Sequence, residues 1–147
     1  MNDSEDPYRS CVRRLKLDAG HRVHLHESKC RNAHGHQYIV YIHATADQLD
    51  SIGRIIDFSV LKELIGGWLD EFWDHGFLVW DQDTEMIKAL GMIEGQKTYK
   101  LPYNPTAENM AYFLLTEICP AVLKTTGVTV TKVEVWETEN CYGVAEF

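Results

Sequence analysis

Residues 9–17 and 36–46 read as β-strands, and the second runs Gln37-Tyr38-Ile39-Val40-Tyr41-Ile42-His43-Ala44, rich in β-branched and aromatic side chains. A polar connection follows. Then Val60, Leu61, Leu64, Ile65, Trp68, Leu69 and Phe72 recur at three- and four-residue spacing, the stripe of an amphipathic helix, with Asp57 or Ser59 available as its cap. Residues 76–97 are mixed in pattern, with a short helix predicted over 84–90 and a short strand over 98–101. A second long helix is predicted from Thr106, after Asn104-Pro105, carrying Met110, Ala111, Phe113, Leu114 and Ile118, bent near Pro120 and ended by Gly127. Two last strands, 128–138 and 142–147, flank a turn at Glu139-Asn140. Strands in blocks, rather than alternating with helices, predict an α+β fold with a four-stranded antiparallel sheet and two helices packed on one face.

Composition narrows the classes. Hydrophobic residues make up 45% of the chain and charged residues 24%, which excludes general disorder. The length of 147 residues suits one domain, read as residues 8–147 behind a disordered tail at 1–7. Net charge is −8, which argues against nucleic acid as a partner. The longest apolar run has six residues, against the ~18 that a membrane span needs. The polar, acidic first residues lack the pattern of a secretory signal, so a cytoplasmic location is expected. Against that acidic background residues 8–31 hold seven cations and two acids, a local excess that suits an anionic small ligand or a protected strand edge.

Cys11, Cys30, Cys119 and Cys141 are scattered and form no CxxC pair, so they read as reduced thiols. Five of the seven histidines (His21, His24, His26, His34 and His36) fall within sixteen residues. His34-Gly35-His36 opens a predicted strand, where positions i and i+2 share a face, so both imidazoles can meet one ion. A catalytic zinc takes three protein ligands and keeps one open position. His21, at the end of the preceding strand, can supply the third; His24 and His26 are a second i, i+2 pair and compete with it. Cys30 lies four residues before His34, between Lys29 and Arg31. Beside a dication it is either a reactive thiolate or a fourth ligand that closes the site.

Cys30-Arg31-Asn32-Ala33-His34-Gly35-His36 resembles the C-x-x-x-H-G-H motif of the 6-carboxy-tetrahydropterin synthases, relatives of 6-pyruvoyl-tetrahydropterin synthase within the tunnelling fold. Further stretches follow in the family's order: Ala19-Gly20-His21-Arg22, Ile56-Asp57-Phe58 with Leu61-Lys62, Asp74-His75, Asn104-Pro105-Thr106-Ala107-Glu108-Asn109, and Trp136-Glu137-Thr138. The three residues between Cys30 and His34 resemble the carboxy branch, since the pyruvoyl branch usually has five. Leu17-Asp18-Ala19-Gly20 departs from the family's usual Phe-x-Ala-Ala, Trp73 replaces a common leucine, and Leu78-Val79 stands for the usual Leu-Asn.

The resemblance implies a zinc-dependent carbon–carbon lyase that converts 7,8-dihydroneopterin triphosphate to 6-carboxy-5,6,7,8-tetrahydropterin, acetaldehyde and triphosphate, a step toward 7-deazapurines such as queuosine. It implies His21, His34 and His36 as ligands of Zn2+, Cys30 as the base, and Asp74 with His75 as a second proton carrier. His75 could instead be a helix-terminal cation. Glu137 continues the apolar stripe of Val133 and Val135, where a carboxylate needs a strong donor pair; the resemblance makes that pair the pterin N2 and N3 groups, and otherwise Glu137 faces solvent. Thr106 and Glu108 are implied near the pterin, although a cap and a first-turn carboxylate would look the same. The family closes exposed sheet edges into a barrel, implying a homohexamer of two trimers with active sites between subunits. Three other readings stay open: a pyruvoyl-type triphosphate elimination, a non-catalytic protein with a structural Cys-His zinc site, and a zinc hydrolase acting on another phosphorylated heterocycle.

Overall fold

The computed structural model describes residues 7–147; of the expected tail at 1–7, only Pro7 lies within the described residues, and it is exposed. Six strands form one sheet: β1 (Cys11–His21), β2 (His34–Ala46), β3 (Gly76–Trp80), β4 (Thr98–Leu101), β5 (Val128–Thr138) and β6 (Cys141–Glu146). Their order is β4-β3-β1-β2-β5-β6. The α+β class holds, but the four-stranded antiparallel sheet is corrected to a six-stranded mixed one. The four antiparallel strands form one side of it, and β3 adds in parallel to β1 over Ala19–His21 and to β4. The apolar run Phe77-Leu78-Val79-Trp80 shows no alternation because Leu78 and Val79 are both buried, as expected of a strand covered on two faces.

The first long helix runs as α1 (Phe58–Leu61), a π turn (Lys62–Gly66) and α2 (Gly67–Phe72). Leu61, Ile65, Leu69 and Trp73 form its buried line, while Phe72 is half out in solvent at 39% exposure, so Trp73 completes the stripe in its place. Asp57 caps the helix by accepting the N–H of Ser59. The short helix α3 is Thr84–Gly91, capped by Asp83. The second long helix is α4 (Ala107–Phe113), a π turn (Leu114–Ile118) and α5 (Cys119–Leu123), with Pro120 inside the continuous helix just after the widened turn, where the hydrogen-bond ladder is already irregular. Both long helices cover the face of the sheet that carries Leu15, Leu17, Tyr38, Val40, Ile42, Val133 and Val135. Among the described residues no helix is long and apolar enough to cross a membrane.

Candidate metal centre and acid–base pair

Antiparallel register places His21 directly opposite His34 across β1 and β2. His36 follows on the same face, as period two requires. The Nε2 atoms of His21 and His34 stand 3.1 Å apart, and those of His34 and His36 3.0 Å apart. His24 and His26 do not join: His26 Nδ1 accepts the N–H of Ser28, and the His24 ring lies near Trp80.

The tautomers follow from the partners. His21 Nδ1 lies 2.7 Å from the carbonyl of Pro105, and His34 Nδ1 2.6 Å from the carbonyl of Asn32. A carbonyl only accepts, so each Nδ1 carries a proton, and in the neutral tautomer this leaves the Nε2 lone pair turned toward its neighbour. His21 is 1% exposed, and burial, with His34 and His36 close by, brings its pKa down to about 4. Burial also lowers that of His36, against the opposing pull of Glu137. Neutral imidazoles with converging lone pairs repel unless a cation sits among them. The backbone carbonyls behind His21 and His34 are the usual outer partners of metal-bound histidine. The three residues therefore fit a divalent metal.

Cys30 lies in a single 3₁₀ turn, Lys29–Arg31, reduced and half-buried. Its sulfur is outside the group of three imidazoles that could hold an ion. The turn is anchored from two sides. The carbonyl of Cys30 accepts the N–H of Val23 at 2.8 Å, and the Asn104 side-chain amide clasps both peptide groups of His24, at 3.0 and 2.8 Å. Next to it, Arg22 forks onto the buried carboxylate of Asp83, which the guanidinium holds below the ordinary carboxylate range.

Glu137 carries on the face of Val133 and Val135 and comes within 3.8 Å of His36 Nε2, so it turns toward the imidazoles rather than away from them. Tyr38, two positions after His36, packs its ring against His21 and His36; burial, then the nearby Glu137 charge, pushes its phenol well up. The period-two rule that pairs His34 with His36 extends to Tyr38. Thr106 caps α4 by accepting the N–H of Asn109. Glu108 is exposed and borders another cleft, with Tyr112 and Phe147.

Asp74 and His75 meet through a tight turn: His75 is left-handed at φ 58°, and its Nδ1 donates to Asp74 Oδ2 at 2.8 Å. That hydrogen bond, then the charge behind it, raises the His75 pKa. Partial burial opposes ionisation of Asp74, but the Asp18 N–H and the His75 ring outweigh it and lower its pKa. His75 faces a cleft of about 420 Å³ whose wall includes Asp18, Gly20, Gly35, Gln37 and Phe77, together with Ala19 and His36. Asp18, Gly20, Gly35 and Gln37 occupy the strand positions that point away from the imidazole face. The chain therefore brings His21, His34, His36 and Glu137 together, and places His75 toward the other side of the sheet. Gly20, where the resemblance leads one to expect alanine, has a local reason: a Cβ there would stand 2.8 Å from the ring of Phe77.

Residues 10–146 match the profile of a family described as 6-pyruvoyl tetrahydropterin synthase. A protein of Rickettsia bellii named 6-carboxy-5,6,7,8-tetrahydropterin synthase is 40% identical over 132 residues, covering 90% of this chain and 96% of its own. Among solved structures, an uncharacterized protein from Wolinella succinogenes superposes with a TM-score of 0.81 at 22% identity, over 96% of this chain and 99% of the other. The 6-pyruvoyl tetrahydropterin synthase of Caenorhabditis elegans gives 0.69 at 25% identity, over 96% of each.

Proposed function

The chain belongs to the 6-pyruvoyl tetrahydropterin synthase family, and on that premise we propose that it is a zinc enzyme converting 7,8-dihydroneopterin triphosphate to 6-carboxy-5,6,7,8-tetrahydropterin, acetaldehyde and triphosphate. The observation that carries this reading is the trio of converging Nε2 atoms, with the Cys30 sulfur left out of it. Three ligands leave room for substrate, whereas a bound thiolate would close the site. The four-residue step from Cys30 to His34, and the name of the Rickettsia relative, support the carboxy product over the pyruvoyl one.

His21, His34 and His36 would hold the ion. When bound, zinc supplies Lewis acidity toward the hydroxyls of the substrate side chain. Cys30 takes a proton from that side chain as thiolate. His75, oriented by Asp74, gives and receives the second proton. Glu137 accepts the paired N–H groups of the pterin in a bidentate contact. Thr106 and Glu108 border the pterin from the helix start that also supplies Pro105 to His21; the Thr106 hydroxyl still has its own proton to donate. Because His75 lies toward the opposite side of the sheet from the imidazoles, the working site takes its acid–base pair from a second copy, within a homohexamer. The reading includes a cytoplasmic location and a role in 7-deazapurine formation.

The test is incubation of the zinc-loaded protein with 7,8-dihydroneopterin triphosphate and identification of the products. Acetaldehyde and triphosphate are expected together; triphosphate with a pyruvoyl pterin would assign the elimination reaction instead. Cys30→Ala should keep its zinc and lose turnover. Loss of zinc and fold together would make the site structural.

A further inference from the structure

The turn that carries Asp74 and His75 is tied down at three points. The His75 N–H donates to the carbonyl of Asp18 at 2.6 Å. The Asp74 carboxylate bridges, accepting the N–H of Asp18 at 2.9 Å and His75 Nδ1 at 2.8 Å. The third tie comes from Lys97, just before β4. Its Nζ donates to the carbonyl of Asp70 at 3.0 Å and to that of Asp74 at 2.6 Å. The Asp70 carbonyl belongs to the last turn of α2, where carbonyls lack helical partners, and an ammonium there also meets the negative end of the helix. The Asp74 carbonyl leads straight into His75, whose left-handed backbone persists in a non-glycine residue only where its surroundings over-determine it. The Lys97 stem lies along Gly76, where an added Cβ would come within 3.2 Å of it, so the absence of a side chain at Gly76 leaves room for the lysine.

We infer that Lys97 is a positioning residue: its ammonium locks the Asp74–His75 turn and so aims the imidazole into the cleft beside Phe77. The inference rests on the reading of Asp74 and His75 as the acid–base pair. The charged groups around His75 are Asp74, Asp18 and Lys97. The two carboxylates favour its protonation, the Asp74 hydrogen bond most of all, and the opposing pull of the lysine is the weakest, so a neutral residue at 97 that frees the turn and loses that bond moves the His75 titration downward.

The experiment compares Lys97→Met, Lys97→Arg and His75→Ala in the full-length, zinc-loaded protein, by steady-state kinetics and by NMR of the imidazole nitrogens. Lys97→Met is expected to lower kcat roughly tenfold or more with KM within about twofold. Zinc content should hold, the hydrogen-bonded Nδ1 signal of His75 should be lost, and with that bond gone its titration should move down. Lys97→Arg, which can still donate to both carbonyls, should restore most of kcat. If Lys97→Met does not fold, Lys97→Gln takes its place. His75 signals identical to wild type in the neutral variant overturn the inference, as does an unchanged kcat while His75→Ala is inactive. If His75→Ala itself turns over normally, the acid–base reading fails, and the NMR comparison still decides whether Lys97 locks the turn.

Discussion

His21 is the most informative single side chain. Its folded-state pKa of about 4 lies below the ordinary histidine value, so between the two the unfolded chain binds more protons. Stability is therefore complete above about pH 6.5 and falls as the pH drops toward 4, by about 3 kcal/mol for this one group. Denaturant unfolding of the metal-free protein at pH 7 and pH 4.5 should show that loss, and His21→Gln should remove most of it. A His21→Gln protein with the same acid sensitivity as wild type would mean that another group controls it. Asp83 acts with the same sign at lower pH. Held below the carboxylate range by Arg22, it contributes above its unfolded pKa near 4 and is lost only in stronger acid. Asp83→Asn removes the buried charge under the guanidinium, leaving Arg22 only the exposed Glu85, and should cost about 3 kcal/mol, read from the denaturation midpoint at pH 7. The sequence shows the trio well, because an i, i+2 pair and a strand register both leave a mark in residue spacing. It hides what orients the trio: Pro105 and Asn32 act through main-chain carbonyls, which every residue type has.

At the level of elements, β1, β2, β5 and β6 are readable because each has one face on the core and one toward solvent. β3 is not, since burial on both sides erases alternation and leaves a short apolar run that resembles many other segments. Both long helices are legible from their stripes, yet neither π turn is, because a single widened turn hardly disturbs three- and four-residue spacing. The docking of β6 on α4 is tighter than either pattern suggests. A Cβ at Gly143 would stand 2.4 Å from the main-chain nitrogen of Glu108 and 2.6 Å from the carbonyl carbon of Ala107. Backbone cannot swing aside as a side chain can. Gly143→Ala should therefore destabilise by roughly 1–3 kcal/mol, measured by thermal or denaturant unfolding. A neutral result would mean that β6 shifts on the helix at little cost.

Among the described residues, the β1-β2-β5-β6 part of the sheet has one face without helices, carrying Tyr41, a Trp136–Tyr142 stack and a His43–Glu134 pair. No strand among the described residues pairs with residues 11–18 of β1 on the β3 side or with the outer edge of β6. Such edges are usually protected or paired. Analytical ultracentrifugation should give a hexamer; a monomer at micromolar concentration would contradict the assembly reading. Subunit mixing tests the site itself. Cys30→Ala and His75→Ala should each be inactive alone, and oligomers reassembled from the two together should regain turnover. No recovery would mean that both residues serve one chain's own site.

The placement of the imidazole trio and His75 toward opposite sides of a single sheet has a kinetic consequence. On the assembly reading, a solitary folded chain owns every reactive group and still holds no complete machine. Dilution should silence it with its circular dichroism unchanged, and specific activity should climb with protein concentration until the ring is full. Abundance, as much as substrate, would then set the output.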